Sequence, residues 1–556
     1  MKKLLTLLLA LVLTSQLVTP ALAEILPEDT AAPTVELEEP TQMPVTEPAT
    51  ETPNTEATEA TEASETIPAE TTPATEPPEA TEVPEVTDPT EETEATEPTE
   101  ATDATDPTDP TEETTETVLE LLAEEDILAQ GTCGAEADGS NVTWVLTTDG
   151  TLILSGTGAV AAYDDRDRPW YDYRYQILRL EVKKGITSVG GFRYCFTLQE
   201  VSLPEGLISL DEFAFMDCQK LQEIRLPKSL KTLGRGTFAG CHALPEIELP
   251  EDLETVGEGA LMNCLSLTSV VIPASVTEMG DRPFSGDWAL KTVEIKGNVF
   301  RLTDSAFSEC DALQEVLITG GVETIEERAF YNLDSLERVQ IASGLKTIGK
   351  RAFWLCDNLT TVSLPDGVTS IGEEAFKECS SLTTINLPNS ITTIGEEAFK
   401  ECSSLTTINL PNSITTIGAN AFNGTKLTGP LNIPSSLVSL GDNAFNGCGG
   451  ITGTLVFPAA MENISTNVFA GCSGIEEIVL PRGVLTIGDG AFNNCSGVQR
   501  LWLTNSIQSI GANAFNGMKS LKKVYFSGTI LEWETGIQWA DKGYQIGVAI
   551  TTNEET

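Results

Sequence analysis

Apolar positions recur along most of this chain at a step of 23 residues, and one column of that pattern is aromatic. It runs Phe192, Phe215, Phe238, Leu261, Phe284, Phe307, Phe330, Phe353, Phe376, Phe399, Phe422 and Phe445, slips by one residue, and resumes at Phe469, Phe492 and Phe515. A fixed period of this length predicts a solenoid, one supersecondary unit stacked on copies of itself. In Ser380 to Cys402 (SSLTTINLPNSITTIGEEAFKEC), Leu382, Ile385 and Leu387 follow the alternation of a short strand with one buried face. Pro388-Asn389-Ser390 ends it, because proline has no N–H to give a ladder and Asn and Ser favour turns. Ile391 and Ile394 point inward from a second extended segment, and Gly395 permits a sharp bend. Glu396 to Cys402 predicts a single helical turn, with Ala398 and Phe399 inward and Glu396, Glu397 and Lys400 in water. The expected fold is a repeat solenoid, mostly β with short helical turns, of about 15 coils and roughly 70 Å long at about 4.8 Å per coil. Its structural core is Phe215, Phe238, Phe307, Phe330, Phe353, Phe376, Phe399, Phe422, Phe445, Phe469, Phe492 and Phe515.

Cysteine keeps the same register. Eleven of twelve lie three residues after the aromatic column, and the remaining repeats carry Asp287, Leu333, Thr425 and Met518 there. A single-file column spaced at the strand distance is slightly too wide for disulfides and does not converge on a metal, so buried free thiols are expected.

The flanks differ in kind. Lys2 and Lys3, the apolar run Leu4 to Leu13 and the small-residue site Ala21-Leu22-Ala23 predict a signal peptide over 1–23, too short for a membrane span. Residues 24–117 are Thr, Glu, Pro, Ala and Asp in runs such as TEATEATEASE. Glu24 to Asp126 holds 33 acids and no Lys or Arg, a composition that stays disordered and extends as a stalk. A bare spacer and a Thr-rich stalk carrying O-linked sugars are both open readings. A junction at 118–130 contains VLELLAEEDIL, which predicts a short amphipathic helix. An N-terminal cap follows at 131–185, the solenoid at 186–526, and a C-terminal cap and tail at 527–556. Outside the stalk, residues 127–556 hold 51 acids and 30 bases. That balance argues against nucleic acid or an anionic membrane as partner.

The repeat L-x-x-I-x-L-P followed by I-x-x-I-G-x-x-A-F-x-x-C resembles the BspA-type leucine-rich repeat proteins of bacterial surfaces, over about Phe192 to Met518. Gly131-Thr132-Cys133-Gly134, Trp144-Val145-Leu146, Asp149-Gly150-Thr151-Leu152 and Pro169-Trp170-Tyr171 resemble that family's N-terminal cap, and Val524 to Thr529 with Trp533 its closing segment. The resemblance implies a secreted or surface-exposed binding protein, some members being adhesins for host proteins or other bacteria. It supplies no ligand.

Chemistry is sparse. The one histidine, His242, lies beside Cys241 only along the chain, and no base is oriented towards a nucleophile. Phosphate-loop, HExxH and dinucleotide motifs are absent from the sequence. Ile371 to Thr393 repeats as Ile394 to Thr416 residue for residue, which suits a repetitive binding face better than a unique active site. No enzyme activity, cofactor or metal is expected. The expected partner is a protein or cell surface met by a monomer without a transmembrane span.

Two candidate contact regions stand out. The outward strand position reads Ser202, Arg225, Glu248, Val271, Glu294, Leu317, Gln340, Ser363, Asn386, Asn409, Asn432, Val456, Val479, Trp502 and Tyr525. Its last four members form an apolar and aromatic stripe, a contact surface unless Ile530 to Ile550 folds back over Trp502 and Tyr525. The second region is the aromatic and acidic cluster of the N-terminal cap, with Trp170, Tyr171 and Tyr173 as an alternative glycan site. The same cluster also suits a lid over the open apolar end of the solenoid.

Overall fold

The computed structural model describes residues 123–164, 166–541 and 550–552. The signal peptide, the stalk and the start of the junction lie outside the described residues. Two faces of short parallel strands, here the first and second sheets, follow the repeats with interruptions, as between Arg225 and Ser269 in the first and between Met279 and Arg301 in the second; within each stretch a repeat strand pairs with its equivalent about 23 residues on. Val270 pairs with Val293, Val293 with Val316, Val316 with Val339 and Val339 with Val362 in the first sheet. Ile325, Ile348, Ile371, Ile394, Ile417 and Leu440 do the same in the second. The first-sheet strands alternate exposed and buried positions, as in Arg338–Ile341. The one-residue slip in the aromatic column falls in Gly450–Val456, where the ladder shifts register between Gly453 and Thr454.

The rings form one column. Adjacent phenylalanines from Phe284 to Phe515 stack within 13° of parallel, with centroids 4.9 to 6.2 Å apart. All twelve predicted core rings are buried. Every cysteine is free and buried. The thiols also have a task that spacing alone did not show. From Cys218 onward each thiol of the column donates its S–H to the carbonyl of the preceding coil's phenylalanine, as from Cys218 to Phe192 at 3.3 Å, Cys379 to Phe353 at 3.1 Å and Cys402 to Phe376 at 3.0 Å. Burial pushes the Cys195 and Cys356 thiols up to about 12, so the S–H form persists.

The predicted helical turn is not one. In Gly372 to Cys379 alternate N–H groups go to different places. Ala375, Lys377 and Cys379 donate three residues back, to Gly372, Glu374 and Phe376. Glu374, Phe376 and Glu378 donate to Glu396, Ala398 and Lys400 of the next coil, each at 2.8 Å. A helix would keep all its bonds within the coil. Here the chain turns twice through left-handed residues, Glu374 at φ 55° and Glu378 at φ 61°, which frees every second N–H to link coils. Later coils place Asn420, Asn443, Asn467 and Asn513 at the first of these positions, a residue that tolerates this backbone better than Glu. Gly395 also differs from expectation: its φ is not positive, and its need is proximity. A Cβ there would lie 2.5 Å from the carbonyl carbon of Gly372.

Both ends are closed. In place of the predicted junction helix, the described part forms a three-residue 3-10 turn, Glu124–Asp126, and an edge strand, Ile127–Thr132. That strand opens an antiparallel meander with Val142–Thr147 and Thr151–Gly156, which then pairs in parallel with Arg179–Val182 and so starts the first sheet. At the far end Gln538–Trp539 extends the second sheet and Ile550–Thr552 the first. Trp533 packs edge-on against Phe526 and Trp539 there.

One seam interrupts the spine. Leu261 replaces a ring between Phe238 and Phe284, and Asp287 occupies the thiol slot between Cys264 and Cys310, fully buried. Its Oδ1 accepts the Cys264 N–H at 2.7 Å, while Oδ2 has no hydrogen-bond partner. Burial pushes this carboxyl well above its ordinary 3.8. The penalty for ionising it is absent below that value, where the carboxyl is neutral folded and unfolded, and grows as pH rises above it. Asp287→Asn is therefore expected to match the parent in stability below pH 3.8 and to exceed it increasingly towards neutrality, measured by chemical unfolding across pH. Phe376→Ala, by contrast, is expected to destabilise by about 3–5 kcal/mol at any pH through the cavity it leaves in the column.

Candidate binding surface

Strand alternation turns every second side chain of the first sheet outward, and parallel pairing sets equivalent positions side by side. Val456 pairs with Val479, Val479 with Trp502, Trp502 with Tyr525 and Tyr525 with Thr551. The four predicted stripe residues are thus one continuous row across adjacent coils. Val456 is 53% and Trp502 39% exposed, with Val479 and Tyr525 half-buried between neighbours. The Trp502 and Tyr525 rings stack face to face at 3.8 Å and 12°. With their faces turned to each other, they offer edges to a partner and form a ridge. The described part of the C-terminal segment does not cover them: Trp533 and Trp539 pack at the solenoid end, and Ile530 and Leu531 are exposed.

A clamp beside the ridge was not foreseen. Glu477 accepts Arg500 Nε at 2.8 Å and Trp502 Nε1 at 2.7 Å on one oxygen, and Arg500 Nη2 and Thr454 Oγ1 at 3.1 Å on the other. The signal was available: Glu477 stands two residues before Val479, on the same strand face. These bonds, chiefly that from Arg500, hold its carboxyl down at about 2. The indole is therefore anchored through its N–H while its edge stays in solvent. Lys523 lies over the Tyr525 ring, 6.0 Å from its centre.

The N-terminal cluster is built otherwise. Trp170 is fully buried, stacks on Phe192 at 4.9 Å and donates Nε1–H to the Gly191 carbonyl at 2.8 Å. It is the first ring of the column, so its expected role in an exposed glycan site is corrected: its faces are inside the core. Tyr171 carries the Arg174 guanidinium 4.1 Å above its ring, with Arg168 at 5.2 Å, and Tyr173 packs against Trp144. His242 is half-buried in the corner between the turns and the first sheet. Among the described residues no three His, Cys, Asp or Glu side chains converge as metal ligands, and no helix is long and apolar enough to cross a membrane.

A family model described as a BspA type leucine rich repeat region matches residues 186–314, 301–428 and 416–537. The chain belongs to the BspA-type leucine-rich repeat family. Among solved structures it is similar to a leucine-rich repeat protein from Bacteroides ovatus, at 24% identity over 72% of this chain and 98% of that one, with a TM-score of 0.41. One from Eubacterium ventriosum is 27% identical over 56% and 98%, TM-score 0.33. A leucine rich cell surface protein from Faecalibacterium prausnitzii is 20% identical over 75% and 99%, TM-score 0.26. No curated protein matches the chain.

The family scaffold carries the ridge, and the Glu477 clamp sets its geometry. Because this carboxyl is depressed in the folded state, the clamp is intact above the ordinary carboxylate range and is lost as pH falls through about 2. Trp502 fluorescence is expected to shift with a midpoint near that pH, and Glu477→Gln to abolish the transition.

Proposed function

We propose that this chain is a secreted or cell-surface interaction protein that binds a protein partner through the ridge Val456, Val479, Trp502 and Tyr525. The observation that carries the reading is the exposed, anchored Trp502 at the centre of a row of apolar neighbours on a rigid sheet. Aromatic anchors flanked by apolar contacts and a polar rim are what protein interfaces concentrate their energy in. Thr454, Glu477, Arg500 and Lys523 supply such a rim. The leader pattern of Lys2, Lys3, Leu4 to Leu13 and Ala21-Leu22-Ala23 supports export, and the acidic Thr/Pro-rich segment after it supports a spacer that holds the repeats away from an attachment point. Adhesion to host matrix or to neighbouring bacterial cells is the role this arrangement serves.

The test is binding of the full chain to a panel of matrix proteins and bacterial cells, with Val456→Ser, Val479→Ser and Trp502→Ser combined. Loss of a central aromatic anchor costs about 2 kcal/mol or more, roughly thirtyfold in affinity. Binding that persists unchanged in the triple variant, with its unfolding transition intact, ends the assignment of the ridge.

A further inference from the structure

Most polar columns of the solenoid spend their hydrogen bonds on the protein itself. Ser390 and Ser436 donate to Val368 and Ile414 of the preceding coil, both at 2.7 Å. Thr369, Thr392 and Thr415 donate to backbone carbonyls one coil back, and Asn423 and Asn446 to the Asn three residues before. The outward face of the first sheet over the near-identical coils is different. Thr361, Ser363, Thr384, Asn386, Thr407 and Asn409 are all exposed, and none makes a side-chain hydrogen bond within the described residues. The first of these two columns carries charge on either side, with Glu315 and Arg338 before and Glu477 and Arg500 after, while the second carries Leu317 and Gln340 before and Val456 and Val479 after. A shallow depression lies at each end of the strip. One, of about 510 Å³, is lined by Leu317, Gln340, Ser363 and Asn386. The other, of about 220 Å³, is lined by Asn432, Thr454 and Val456.

The spacing discriminates between partners. Donors and acceptors on this strip repeat once per coil, at about 4.8 Å. An extended peptide lying along it repeats its side chains on one face only every two residues, roughly 6.7 Å, and falls out of register within two coils. A linear 1,4-β-linked glycan advances by close to one coil step per sugar, so each coil meets one sugar; the chain turns over between sugars, and the same hydroxyls face the strip again at every second coil, still near register. The strip itself is uncharged, while residues 127–556 carry 51 acids against 30 bases, so an anionic polymer is repelled and a neutral one is not. We infer that the Thr/Asn strip from Ser363 to Asn432 is a track for a neutral, linear 1,4-β-linked glycan, held by one set of amide and hydroxyl hydrogen bonds per coil. This site is separate from the ridge at Trp502 and does not depend on its assignment.

The experiment is calorimetric titration of the full chain with cellohexaose, chitohexaose and xylohexaose, with a six-residue polygalacturonate as the anionic control and a neutral extended Ser/Thr-rich peptide as the peptide control. Expected are binding of at least one neutral hexasaccharide, affinity that rises with chain length and levels off near four sugars, and at least a tenfold loss in Asn386→Ala with Asn409→Ala. Trp502→Ser with Tyr525→Ser is expected to leave it unchanged. The inference is overturned if no neutral glycan binds at millimolar concentration, if the double alanine variant binds as the parent does, or if the peptide or the anionic glycan binds better at these residues.

Discussion

Everything in this molecule depends on the chain returning to the same place every 23 residues. The in-register return lets rings stack on rings, main-chain hydrogen bonds link the turns of successive coils, and thiols reach the carbonyls one coil back. None of these contacts exists within a single coil. Each is made only between neighbours, so stability accumulates pairwise along the stack, and both ends require lids. Trp170 provides one by beginning the ring column, and Trp533 with Trp539 provides the other.

The corners show how the chain tolerates so tight a return. Two left-handed residues per coil are a local cost of roughly 1–2 kcal/mol each for anything but glycine. Two or three inter-coil hydrogen bonds offset it in the coils from Phe213 to Asn494. Glycine is required elsewhere, at Gly372, Gly395 and Gly418, where one coil's backbone touches the next and no Cβ fits.

Periodic features were legible in the sequence because repetition averages away local ambiguity. The Phe column, the thiol column, the two strands per coil and the slip before Phe469 all follow from counting, and the repeat motif carried the resemblance to the BspA-type family. What escaped were places where local propensity and tertiary demand disagree. Gly-Glu-Glu-Ala-Phe-Lys-Glu is a good helical string by composition, yet its backbone is recruited to the neighbouring coil. Trp170 sits among surface-type residues but is drawn inward by the exposed end of the ring stack. The stripe of Val456, Val479, Trp502 and Tyr525 was visible from alternation. The Glu477 clamp required knowing which side chains pairing sets beside Trp502.

The duplicated coil has an architectural consequence. Since Ile371 to Thr393 and Ile394 to Thr416 are identical and stacked in register, each presents to its neighbours the same upper and lower surfaces. Removing one copy, or adding a third, creates no junction that the molecule does not already contain. The number of coils is thus adjustable in whole increments without redesigning the interior. Genetic expansion or contraction of this segment would act as a ruler, changing the reach of the exposed face while leaving both lids as they are.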